Sequence, residues 1–159
     1  MPVPTSITTR LQYQHKSLLD LIDDLTDEQI RRPVQTGKWS IFENIVHLAT
    51  YQHMFVWRLQ KILTENEPAF SRYVAESDPA FHDNLIKSSR EIMQDLLTNR
   101  KDLAAEVDKL TEKDILKTGQ HPLYGKMTLL QWLNFFLLHE AHHLFTIFKQ
   151  AAALRNRHG

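Results

Sequence analysis

An all-α fold, a four-helix bundle with a long crossover in its middle, is predicted by three features of this sequence. Gly is scarce, four in 159 residues, and β-branched runs are few, which argues against a sandwich or barrel. Apolar residues recur three and four apart over long stretches free of Gly and Pro, the period of an amphipathic helix. The chain also runs through one plan twice: long helix, short helical turn, loop, capped long helix.

The first helix is expected from Ser6 to Leu25, with Ile7, Leu11, Leu18, Leu21, Ile22 and Leu25 on one stripe. Thr26-Asp27-Glu28-Gln29 is a capping-box pattern that opens a short turn, which Pro33 and the loop through Gly37 end. The second long helix opens at Ser40, whose hydroxyl can cap the Glu43 amide while Glu43 reaches back, and it runs to Leu63. Pro68 and Pro79 bound a long connection, Ala69 to Ala80, able to cross the bundle. A third helix is expected from His82 to Leu110, with Leu85, Ile92, Leu96, Leu103 and Val107 inside and charges on a solvated face.

The second half then repeats the first. Leu110-Thr111-Glu112-Lys113-Asp114-Ile115 matches Leu25-Thr26-Asp27-Glu28-Gln29-Ile30, and Gly125-Lys126-Met127-Thr128 matches Gly37-Lys38-Trp39-Ser40. Thr128 and Gln131 form another capping box, ahead of an apolar run from Leu129 to Phe148 that reads as the fourth helix. The two matches are spaced by 85 and 88 residues, so the second loop is three residues longer. The expected arrangement is up-up-down-down with a pseudo-twofold internal repeat, in a single domain spanning 1–159. No segment reads as a strand.

Composition narrows the function. Nineteen basic and nineteen acidic residues leave no field for nucleic acid. The absence of Cys excludes disulfides, thiolate ligands and a Cys nucleophile, so a metal would be held by His, carboxylate or water. Neither a signal segment nor a membrane span is evident, and a cytoplasmic protein is expected.

Chemistry concentrates in His139-Glu140-Ala141-His142-His143. On a helix His139 and His143 share a face, and three imidazoles in five residues of an apolar helix are costly to bury without a partner. A divalent metal is such a partner, since neutral imidazole suits Zn, Ni, Cu and Fe. Projection of the second helix places His47 with Glu43, Asn44, Tyr51 and Met54, and turns His53 away, so His47 is the better candidate there. On the fourth helix His139 and His143 fall with Trp132 and Phe136. His142 lies to one side, as a supporting residue or as part of a second apolar side with Phe135, Leu138 and Phe145. That side is expected to be covered by another helix or by a second subunit, so a homodimer is expected.

Trp39-Ser40-Ile41-Phe42-Glu43-Asn44-Ile45-Val46-His47-Leu48 resembles the W-S-x-x-E-x-x-x-H-L segment of DinB-like proteins, and the late pentapeptide resembles their H-x-x-x-H or H-x-x-H-H element. The likeness spans essentially the whole chain. It implies a four-helix bundle in which His47, His139 and His143 bind one divalent metal, Zn or Ni ahead of Fe or Mn. It also implies a small-molecule substrate, with a low-molecular-weight thiol among the candidates, and either thiol S-transfer or hydrolysis. Many relatives carry an acidic residue where this chain has Thr50, and Gln-Ile where it has Thr146-Ile147.

Candidate proton carriers are Glu43, Tyr51 and Glu140. Glu43 has a competing use in its cap, and Glu140, projecting toward Leu133 and Leu144, is read as a partner that steadies an imidazole. The same pentapeptide satisfies the zincin pattern H-E-x-x-H. A zincin's third ligand lies downstream, yet the only His after His143 is His158 in the terminal tail and no Asp or Glu follows. A non-enzymatic bundle with a structural metal is the other alternative. Trp39 and Trp57 read as core or interface anchors, and His15 and His82 as surface or helix-end residues. His121, in the extended second loop, is placed where it could approach the cleft.

Overall fold

The computed structural model describes residues 2–156. His158 and the end of the tail lie outside these residues. The helices are α1 (Thr5–Tyr13), α2 (Ser17–Ile22), α3 (Asp27–Arg31), α4 (Ile41–Thr64), α5 (Pro79–Leu85), α6 (Ser89–Val107) and α7 (Leu129–Asn156). A hairpin of β1 (Thr118–His121) and β2 (Gly125–Thr128) precedes α7.

The predicted caps form. Thr26 and Gln29 exchange backbone hydrogen bonds at the start of α3, and Ser40 and Glu43 do so at the start of α4. Thr128 and Gln131 repeat the exchange at α7. Each box satisfies amide groups that a helix start would leave unpaired.

Three expectations need correction. The first long helix is interrupted by a 3-10 turn, Gln14–Lys16, between α1 and α2, and ends at Ile22. The stretch expected as one helix from His82 breaks into α5 and α6, because Ser88 and Glu91 form a further capping box that starts a new helix. The extended second loop is the β1-β2 hairpin, so strands do occur. Gly125 turns it at φ 71°, in the left-handed region that favours Gly. A Cβ at Gly119 would lie 3.0 Å from Ile62 Cγ1 and 3.1 Å from Phe70 Cε2, so a side chain there would press on both neighbours.

The bundle follows the expected class, with one change of direction. Arg10 bonds Asn134, and Gln14 bonds Leu137 O and Glu140, so the first helix and α7 run parallel. Gln52 bonds Leu96 O, while Leu59 and Leu63 lie beside Leu103 and Leu110, so α4 and α6 are parallel as well. Asn44 meets His143 and Phe55 meets Phe136, which makes α4 and α7 antiparallel. The order is therefore up-down-down-up, not up-up-down-down. The links 23–40 and 108–128 each turn at one end, and only the stretch 65–88 travels the bundle's length. Twenty-four residues of α4 measure roughly 36 Å, within reach of that stretch.

The interior holds two apolar clusters, one around Leu11, Phe55, Leu103, Trp132 and Phe136, the other around Leu18, Ile45, Leu96, Leu144 and Ile147. α4 and α7 contribute to both. Among the described residues no helix is long and apolar enough to cross a membrane.

Candidate metal centre

Where α4 and α7 face each other, His47, His139 and His143 come together, with one ring nitrogen of each within 4.8 Å of the others. His47 and His139 meet Nε2 to Nε2 at 3.0 Å. Asn44 orients the third ring. Its Nδ2 donates to Ser40 O at 2.8 Å, which leaves Oδ1 as the acceptor 2.8 Å from His143 Nδ1. The His143 proton thus sits on Nδ1, and Nε2 keeps its lone pair.

Burial holds all three imidazoles neutral. His47 is lowered to about 4 by burial, against the nearby Glu76 carboxylate. His139 is lowered to about 2 and His143 to about 3, first by burial and then by their neighbouring histidines. Neutral imidazole is the metal-binding form.

The donor set fits one metal ion. Two imidazole nitrogens bonded to one ion at about 2.0–2.1 Å lie roughly 2.9–3.4 Å apart, and the 3.0 Å between His47 and His139 agrees. Without an ion or a shared proton, two lone pairs would face each other there. The Nδ1 atoms of His47 and His139 are buried without a hydrogen-bond partner among the described residues. Such orphans are rare in folded proteins, and packing alone does not account for them.

The cluster opens into a cleft of about 620 Å³. α4 supplies Tyr51 and Arg58, the crossover supplies Tyr73 and Glu76, and the hairpin turn supplies His121. The Tyr51 ring lies 4.0 Å from that of His139, and burial pushes its hydroxyl up to about 12, so it remains protonated. Tyr73 OH is spent on Asp78 at 3.0 Å. His121 Nδ1 accepts from the Leu123 and Tyr124 amides, which shapes the turn over the cleft.

The structure redistributes several expected roles. Glu43 remains in its cap, Oε2 accepting from Ser40 N at 2.6 Å, and does not line the cleft. Glu140 does not steady an imidazole: it faces the opposite side of α7, buried and paired with Arg100. One step along a helix turns a side chain by about 100°, and here that step separates the metal face from the core. With Glu140 so placed and the third imidazole upstream, the zincin arrangement is absent. His142 is exposed, its ring 5.3 Å from that of His143. His15, expected near the surface, is buried, and its Nδ1 accepts from Arg100 at 3.2 Å. His82 is exposed as expected, and His53 pairs outside with Asp95 at 2.9 Å.

Sequence reasoning left other residues unassigned. Asn44 was on the correct helical face, but its role needs His143, 99 positions away. Trp39 is not a simple anchor: its ring packs 5.1 Å from that of His47 and 6.2 Å from that of His143, walling the site. Trp57 is half exposed. Tyr73 and Glu76 come from a connection whose sequence has no helical period. Thr50, at the position where relatives carry an acid, is buried and accepts from Asn84 at 3.0 Å.

Comparison with known proteins agrees with this architecture. Protein YuaE of Bacillus subtilis is 29% identical over 76% of this chain and 82% of its own length. "Putative metal-dependent hydrolase OB0782" of Oceanobacillus iheyensis is 28% identical over 80% of this chain and 73% of its own. Among solved structures, YfiT from Bacillus subtilis, described as a probable metal-dependent hydrolase with an unusual four-helix bundle topology, superposes with a TM-score of 0.77 at 23% identity, covering 97% of this chain and 86% of that one. The four-helix bundle protein TT2238 gives a TM-score of 0.65 at 24% identity, over 89% and 95%. The model of the DinB superfamily matches residues 10–147, and the chain belongs to that family.

Proposed function

We propose that this protein is a metal-dependent enzyme acting on a small molecule, with His47, His139 and His143 holding one divalent ion, Zn or Ni ahead of Fe or Mn. Hydrolysis is the preferred reaction, and transfer of a low-molecular-weight thiol is the second. The observation that carries the reading is the union of three neutral imidazoles, two of them with an unpartnered buried nitrogen, with an open cleft. A structural ion would be enclosed, with its coordination filled by protein ligands. The names of two relatives as metal-dependent hydrolases support the preference for hydrolysis.

A divalent ion bound there would supply Lewis acidity toward a water, a thiol or a carbonyl oxygen brought to the cleft. The chain's own groups do the rest. Asn44 keeps His143 in the tautomer that leaves Nε2 free. Tyr51, still protonated and on the cleft wall, would donate a hydrogen bond to a substrate oxygen. Glu76, on the cleft wall and close enough for its charge to act on His47, replaces Glu43 and Glu140 as candidate proton acceptor. Trp39 and Tyr73 line the cleft wall beside the imidazoles. The exposed Leu138, Phe145 and Phe148 of α7 suit a contact between two copies of the chain.

Zn- and Ni-loaded protein would be screened against ester and amide libraries, and against electrophile conjugation with small thiols. Turnover that disappears on chelation and in His139→Ala is expected. Stoichiometric metal without turnover in either screen would overturn the enzymatic reading in favour of a non-enzymatic bundle.

A further inference from the structure

The end of the cleft away from the three imidazoles holds an arginine without a counter-ion. Arg58 is 4% exposed and lines the cleft. Its Nη2 donates to Ser71 O at 2.8 Å, and its Nε is buried with no partner. Phe70 and Trp132 present their rings to the guanidinium at 5.3 and 5.6 Å. No carboxylate pairs with it among the described residues. Tyr51 and Tyr73 are its electrostatic neighbours, and both phenols are neutral.

A buried cation is costly unless it is paired, and the other buried arginine of this bundle, Arg100, has its carboxylate. Arg58 is therefore either tolerated for its contacts to Ser71 and the rings, or kept for an anion that arrives from solvent. Position favours the second. Arg58 follows His47 by eleven residues, three turns of α4, which brings it back to within about 20° of the same face. The side chain of Arg58 therefore enters the same cleft as the imidazoles, and exposed Arg72 adds a second cation to that wall. Glu76 lies at the imidazole end, so the cleft is polarised along its length.

We propose that the cleft takes an elongated small molecule whose terminal carboxylate pairs with Arg58 while its reactive group lies at the three imidazoles. The Cα atoms of residues 47 and 58 are roughly 16 Å apart along the helix. An arginine side chain tilts toward the helix N-terminus and closes part of that distance. What remains suits a spacer of several bonds, and the cleft volume is that of a small-molecule site. A carboxylate is favoured because the planar guanidinium fork matches a flat two-oxygen anion, and its Nε has no partner among the described residues. This substrate class rests on the functional reading above, but the charge preference is testable without turnover.

The probes are N-acylglycines, hippurate and N-hexanoylglycine, titrated calorimetrically against their neutral glycinamides with Zn-loaded and metal-free protein. The acids are expected to bind at least about ten-fold more tightly than the amides. That preference should vanish in Arg58→Gln, survive in part in Arg58→Lys, and persist in metal-free wild type. A purely structural arginine would alter melting but not the preference. Equal binding of acid and amide in both pairs, including binding by neither, overturns the proposal. So does an undiminished preference in Arg58→Gln or, should that variant not fold, a full preference in the Arg58→Lys protein. Loss of stoichiometric metal with the preference intact would instead count against the metal centre alone.

Discussion

Two buried polar clusters flank α7, and they have been treated in opposite ways. On one side Arg100, itself 1% exposed, donates Nε to Gln52 at 2.7 Å, Nη1 to His15 at 3.2 Å, and both Nη groups to Glu140. Gln14 adds a bond to Glu140 at 2.9 Å, and Gln52 passes its amide on to Leu96 O. On the other side, one residue away, His139 and His47 each leave a buried nitrogen unbonded and face a cleft. Folding satisfies polar groups that serve only the fold. The contrast separates structure from function more sharply than burial does, since Glu140 and His47 are both buried.

The largest test of that contrast removes the ligands. His47→Ala, His139→Ala and His143→Ala should each abolish stoichiometric metal in elemental analysis, while the stability of the metal-free protein in urea changes by only about 1 kcal/mol. Retention of one ion per chain in any of them would break the comparison at its functional end. Glu140→Ala should do the reverse. It strands the buried Arg100 cation at a cost of about 3–5 kcal/mol in urea unfolding, while the protein that remains folded binds metal as before. A drop in metal content larger than the loss of folded protein would join the two clusters into one.

Asn44→Ala tests the outer bond to His143. Its fixed tautomer should be lost, weakening metal affinity by about ten- to a hundred-fold in competition titrations. Unchanged affinity would remove Asn44 from the centre.

The gentlest probe is pH. His15 is lowered to about 4 by burial and by Arg100, and His47 to about 4 by burial, whereas an unfolded histidine titrates near 6.5. The unfolded chain therefore takes up more protons in between, so stability rises with pH across this range. Metal-free protein should hold full stability above about pH 6.5 and lose it progressively toward pH 4. Stability that is flat over this window, followed by denaturant midpoint, would contradict the neutral, buried state of both clusters.

The legible parts of the molecule were local. Each capping box is a pair three residues apart, and Ser88 with Glu91 carries the same pattern inside the stretch expected as one third helix. The pairing of His139 with His143 follows from helical pitch, and His47 from projection of α4 together with the family resemblance. Less legible were residues whose roles depend on distant partners. Glu140 looked like a site residue because its neighbours were, and only Arg100, 40 positions away, shows otherwise. The β1-β2 hairpin was hidden because its eight strand residues include two Gly and little apolar alternation.

By itself the sequence determined where the capped helices begin, that two halves share one plan, and which imidazoles point together, because all three depend on spacing along the chain. Tertiary structure alone decided the up-down-down-up order, the partner of Glu140, the unpaired Arg58 and the cleft between crossover and hairpin. These depend on which groups meet across the bundle, where a buried polar atom's fate is set by whether another residue arrives to bond it.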